Sequence, residues 1–138
     1  MADLTVERTT DLDIGVEELW ELISTADGWC SWLVDDAELV VTSGAGGTTT
    51  QDGVQRQVRI DTVADRRGID FAWWDRDDPS SESHVRIDIV ELPSGGSRLH
   101  VIERFVGASA SIAVDVDVDW QVRFVSLWLL ALHSTVLA

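Results

Sequence analysis

Glu103 stands between Val101 and Phe105 in a stretch that alternates apolar and polar residues, so its carboxylate shares a face with apolar neighbours. A carboxylate there leaves water and needs a donor. It could orient a ligand hydroxyl or act as a general acid or base. The competing assignment is a structural pair with an arginine, Arg56 or Arg123. The histidines offer less. His84 and His100 fall on the opposite parity, and with His133 they do not cluster, so a three-histidine zinc site is not expected. Asp75, Asp77 and Asp78 lack the glycine and terminal glutamate of a calcium loop and read as a solvated acidic turn. Cys30 lies among tryptophans with no base nearby and reads as a buried, inert thiol. There is no nucleophile elbow, phosphate loop or dinucleotide fingerprint. Neither a metal nor a cofactor is expected.

The elements that must hold Glu103 follow from periodicity. Residues 4–14 alternate and predict a strand. Val16, Leu19, Trp20 and Ile23 then take helical spacing opposite Glu17, Glu18 and Glu21, and acids in the first turns suit the helix dipole. Trp29 and Trp32 around Gly28 predict a second, shorter helix. Strand patterns recur over 37–42, 48–51, 54–63, 69–73, 85–89 and 99–105. Asp52-Gly53 marks a tight hairpin, and 75–83, with Pro79, reads as a polar loop. Residues 107–113 are small, and a helix is expected to begin near Asp115 or Asp117, with a strand over Val114, Val116 and Val118 as the alternative. In this last helix Val118, Val122, Val125, Leu129, Leu132 and Val136 form one apolar stripe. Trp120, Phe124, Leu127 and Ala131 form a second beside it. So wide an arc predicts burial on most sides.

Length and composition bound the function. The 138 residues suit one domain, 1–138, with 45% hydrophobic and 25% charged residues. A single cysteine excludes an internal disulfide. Ten arginines, no lysine and 25 acids give a net charge of −15. That field repels phosphate backbones and anionic headgroups, so no nucleic-acid partner is expected. The lysine-free acidity fits either a GC-rich genome or a high-salt habitat. No segment reads as a signal peptide or reaches the ~20 apolar residues of a membrane span. No membrane insertion and a cytoplasmic location are therefore expected. Trp74, facing away from Trp73, and the uncharged end of the last helix make a homodimer an open expectation.

The order of these pieces resembles the helix-grip superfamily that includes START domains. Within it, the chain is most similar to bacterial homologues of the C-terminal domain of the activator of the ninety-kilodalton heat-shock protein's ATPase. The resemblance rests on Arg8 followed by Val16-Glu17-Glu18-Leu19-Trp20, then Trp29 and Trp32, the glycines of 44–47 and Asp52-Gly53-Val54. It continues through Phe71-Ala72-Trp73-Trp74, the strand 83–92, the turn 95–99, Val101 to Phe105, and Trp120 opening the last helix. Ile14-Gly15 departs from the Ala-Pro common in the family, and 107–119 is unusual where a cavity entrance would lie.

The resemblance implies an α+β helix-grip fold: a curved antiparallel β-sheet of about six strands wrapped around a long C-terminal α-helix, with two short N-terminal helices. It also implies an apolar cavity between sheet and helix. Alternation places Phe71, Trp73, Val85, Ile87, Leu99, Val101 and Glu103 on the lining face, with Trp120, Phe124 and Leu127 opposite. The same residues would serve a solid core equally well. Superfamily members bind apolar molecules, act as cyclases or serve as co-chaperones. The expected function is thus binding of an apolar or aromatic small molecule. The alternatives are a cyclase or hydratase-type enzyme with Glu103 as acid or base, and a co-chaperone acting through its surface. Fold alone does not choose among them.

Overall fold

A computed structural model describes residues 4–105 and 110–137, with the side chains of the last helix over 115–132. The chain runs β1 (Leu4–Leu12), α1 (Val16–Ser24), α2 (Ala26–Trp32), β2 (Asp36–Glu38), β3 (Gly46–Gln51), β4 (Val54–Ala64), β5 (Gly68–Asp75), β6 (Asp78–Glu91), β7 (Ser97–Phe105) and α3 (Ala110–Leu137). All seven strands join one sheet in the order β1-β7-β6-β5-β4-β3-β2, and every neighbouring pair is antiparallel. β2 to β7 therefore form a meander of consecutive partners, and β1 returns to pair with β7.

The inward parity is the one alternation predicts. Val58, Ile60, Phe71, Trp73, Val85, Ile87, Leu99 and Val101 are buried on one face and pack with Leu19, Ile23, Trp29, Trp120, Phe124 and Leu127. Asp52 and Gly53 both take positive φ, 51° and 79°, which is the backbone that a two-residue hairpin requires.

Several expectations need correction. The seven strands match the patterns read over 4–14 and the six later segments, but β2 is shorter than the pattern over 37–42: it covers Asp36–Glu38, and residues 39–42 leave the sheet. The polar loop expected over 75–83 is shorter: β6 begins at Asp78, and Ser83 is buried opposite Trp73. β6 meets β5 at Asp78, opposite Asp75, and again at Ser83, with an irregularity in the register between them. α3 is already helical at Ala110, which removes the strand alternative over 114–118; residues 106–109 lie outside the described ones. Nor is α3 buried on most sides: among its described side chains, 115–132, Trp120, Arg123, Phe124, Leu127 and Ala131 are buried on one side. Cys30 is exposed, since it sits between Trp29 and Trp32 on a helix whose tryptophans point inward.

α3 is tied to the sheet edge at β1. Arg8 donates from Nε to Asp117 Oδ1 at 2.6 Å and from Nη2 to Oδ2 at 2.8 Å. That hydrogen-bonded guanidinium holds the Asp117 carboxyl below its ordinary value of 3.8. The bridge's contribution is therefore present above that value and is lost as pH falls through the lower, folded one. Asp117→Asn should lower the melting temperature slightly at pH 7 and match the parent at pH 2. A difference that persists unchanged at pH 2 would show that the bridge contributes nothing.

Candidate functional site

β7 places Glu103 at an inward position, 3% exposed, and three elements supply its donors. Trp73 of β5 donates from Nε1 to Oε2 at 2.8 Å, and Trp120 of α3 donates from Nε1 to Oε1 at 2.9 Å. Ser83 of β6 donates its hydroxyl to Oε2. Both carboxylate oxygens are thus engaged by the protein itself, and neither expected arginine makes the pair. Arg123 is close enough to feel the carboxylate's charge but donates elsewhere: Nε to the Leu33 carbonyl at 2.9 Å, and Nη2 to Gln51 Oε1.

Arg123 is itself buried, 4% exposed, and no carboxylate among the described residues lies in ion-pair range of it, which is unusual for a guanidinium. Its Cζ lies 4.6 Å from the Trp120 ring centre and 5.4 Å from that of Trp73. Burial pushes its pKa down to about 10; Glu103 opposes the shift and the neighbouring Arg56 adds to it. Arg56 of β4 stacks on Trp73 with Cζ 4.4 Å from the ring centre. Among the described residues, no carboxylate lies in ion-pair range of Arg56 and no side chain accepts a hydrogen bond from it. These three guanidinium–indole contacts are favourable, more so where water is scarce.

These groups wall a cavity of about 470 Å³ at one end of the sheet. It is bounded by the start of β4 (Val54, Arg56), the β5–β6 turn (Trp73, Trp74, Asp75, Asp78, Ser80 to Ser83), the end of β7 (Glu103, Phe105) and the first described turns of α3 (Val116, Asp119, Arg123). Of the residues expected to line a cavity, Trp73 and Glu103 do so. Phe71, Val85, Ile87, Leu99, Val101, Trp120, Phe124 and Leu127 pack in the core and do not reach it. Arg56 shares parity with Val58 and Ile60, so alternation alone could have placed it on this wall. A larger concavity of about 890 Å³ lies on the outer sheet face, between outward side chains that include the ion-paired Arg86 and Arg98. His84 and His100 are also on that face, beside Glu82 and Glu7. No metal-holding group occurs among the described residues, and the His133 side chain lies outside them.

No family model matches the chain, and no curated protein matches it. Solved structures do. MLL2253 from Mesorhizobium loti superposes with a TM-score of 0.81 at 18% identity, over 92% of this chain and 96% of that one. The Aha1 dimer from Colwellia psychrerythraea gives 0.79 at 10% identity, over 91% and 93%. The chain has the helix-grip fold. A third helix-grip neighbour, DynU16 from the dynemicin biosynthetic locus, matches at 0.79 and 19% identity over 89% of this chain. This chain spans only 45% of the length of DynU16. None of the described helices is long and apolar enough to cross a membrane.

Proposed function

We propose that the protein binds an apolar or aromatic small molecule in the 470 Å³ cavity, and that the molecule's polar end is an acidic group held by Arg56. The volume is in the range of small-molecule sites. Val54, Phe105, Val116 and the indoles supply apolar wall. The observation that carries the reading is the polar one. Glu103, the polar anchor expected from sequence, already accepts three hydrogen bonds from the fold. Arg56 has none of its donors engaged by a described side chain and is braced by Trp73. A braced guanidinium pairs with a carboxylate in a two-pronged geometry. With its oxygens so engaged, Glu103 is poorly placed to exchange a proton with a ligand, which favours binding over cyclase or hydratase chemistry. Self-association belongs beside this reading, since the Colwellia protein is a dimer and one helix face here is apolar and exposed.

The test compares 2-naphthoate with its neutral isostere 2-naphthamide by calorimetry, on the parent and on Arg56→Gln. The parent should prefer naphthoate by at least about tenfold, and Arg56→Gln should erase the preference while leaving amide binding unchanged. Equal binding of both probes by the parent would remove the acidic group from the proposal. Failure of both probes to bind at millimolar concentration would remove the cavity reading.

A further inference from the structure

We infer that the solvent face of α3 is a self-pairing surface through which two copies of this chain meet antiparallel, with Val125 near the two-fold axis. Val118, Val122, Val125, Leu129 and Leu132 lie 42–62% exposed. They follow one another at alternating steps of four and three residues, the repeat that seats one helix against another. The row runs about 21 Å along the helix. Trp128 flanks it, 48% exposed, with its ring held by a 2.7 Å hydrogen bond from Nε1 to Thr10 Oγ1. Together the six side chains expose roughly 550 Å² of surface, at the top of the range for a monomer's largest apolar patch and about two thirds of one partner's share in a standard interface.

Charge selects the occupant. The chain carries −15, yet residues 124–132 include no charged side chain. A basic partner would be drawn to the acidic remainder of the surface, where this row offers it nothing. Two copies of so acidic a chain can approach closely only where charge is absent, and the part of the row from Val125 to Leu132 is such a place. Charge also selects the direction. Asp115, Asp117 and Asp119 crowd the start of the described turns. Parallel pairing would set two such clusters, and two like helix dipoles, side by side. Antiparallel pairing instead lays each acidic end against the other copy's uncharged end. It also places Val118 opposite Leu132 and Val122 opposite Leu129, small against large, with Val125 facing itself. A symmetric contact of this kind closes as a dimer. The surface lies on the side of α3 opposite the buried stripe, so it stands whether or not the cavity binds a ligand.

Light scattering after size exclusion should report twice 15.2 kDa for the full chain at about 100 µM and 15.2 kDa near 1 µM. Added salt should shift the midpoint toward dimer by screening the mutual repulsion. Val125→Glu and, separately, Leu129→Gln should give monomers with unchanged far-ultraviolet circular dichroism. For direction, a Cys30→Ser background carries either Val125→Cys or Asp115→Cys. Mild oxidation should cross-link the first and not the second, whose positions lie about 30 Å apart in the antiparallel pair. A monomer at every concentration and salt overturns the proposal, as does a monomer that sediments with phosphatidylcholine vesicles. Cross-linking through position 115 overturns the antiparallel arrangement.

Discussion

Glu103→Ala is expected to destabilise the protein by about 3–5 kcal/mol, the range for breaking a buried charged network on one side only. The substitution strands the Trp73 and Trp120 N–H groups and the Ser83 hydroxyl, all buried, and deprives buried Arg123 of its strongest opposing charge. It also unlinks β5, β6, β7 and α3 at their common meeting point. Glu103→Gln retains one acceptor oxygen but turns an amide NH₂ toward donors, so it should fall between the parent and the alanine variant. Urea unfolding at pH 7 measures both. An alanine variant within 1 kcal/mol of the parent would mean that the carboxylate does not hold these elements together.

Gly28→Ala should cost about 3 kcal/mol or more, although it adds one methyl group and raises helix propensity. A Cβ on Gly28 would sit 2.4 Å from the Glu21 carbonyl oxygen and 2.6 Å from the Leu22 Cα. These are backbone atoms and cannot swing aside, so α2 would have to lift from α1. Two hydrogen bonds depend on that closeness: Trp29 Nε1 to the Ile23 carbonyl at 2.6 Å and Trp32 Nε1 to the Leu22 carbonyl at 2.8 Å. The variant should therefore lose near-ultraviolet tryptophan dichroism along with stability. A variant as stable as the parent, with that signal intact, would show that the helices have room to separate.

The inward parity of β4 to β7 was legible because a half-buried strand writes its faces in alternation, and the α1 boundaries were legible from acids facing apolar residues at helical spacing. Alternation also put Glu103 inside. It could not say what meets Glu103, because indole N–H donors look like plain apolar residues in any pattern, and they arrive from 30 and 17 positions away. The same blindness hid the cavity. Phe71 and Trp73 have identical parity, but only the one nearer the end of the sheet reaches open space. Two apolar stripes on α3 could not be ranked from sequence, since burial of one and exposure of the other depend on how the helix rolls against the sheet.

The strand order has a consequence for synthesis. β3 to β7 each pair with the strand just made, so the meander can assemble hairpin by hairpin as the chain emerges. β1 cannot join. Its partner β7 lies about ninety residues downstream, and the groups that fasten it, Asp117 and Trp128, are later still. Until it docks, β1 is an unpaired strand whose inward face carries Val6, Thr10 and Leu12, and β7 presents the open edge that it will cover. The vulnerable interval for this fold is thus the time between the emergence of β7 and the docking of β1, when the β1 of a neighbouring nascent chain could take the place of its own.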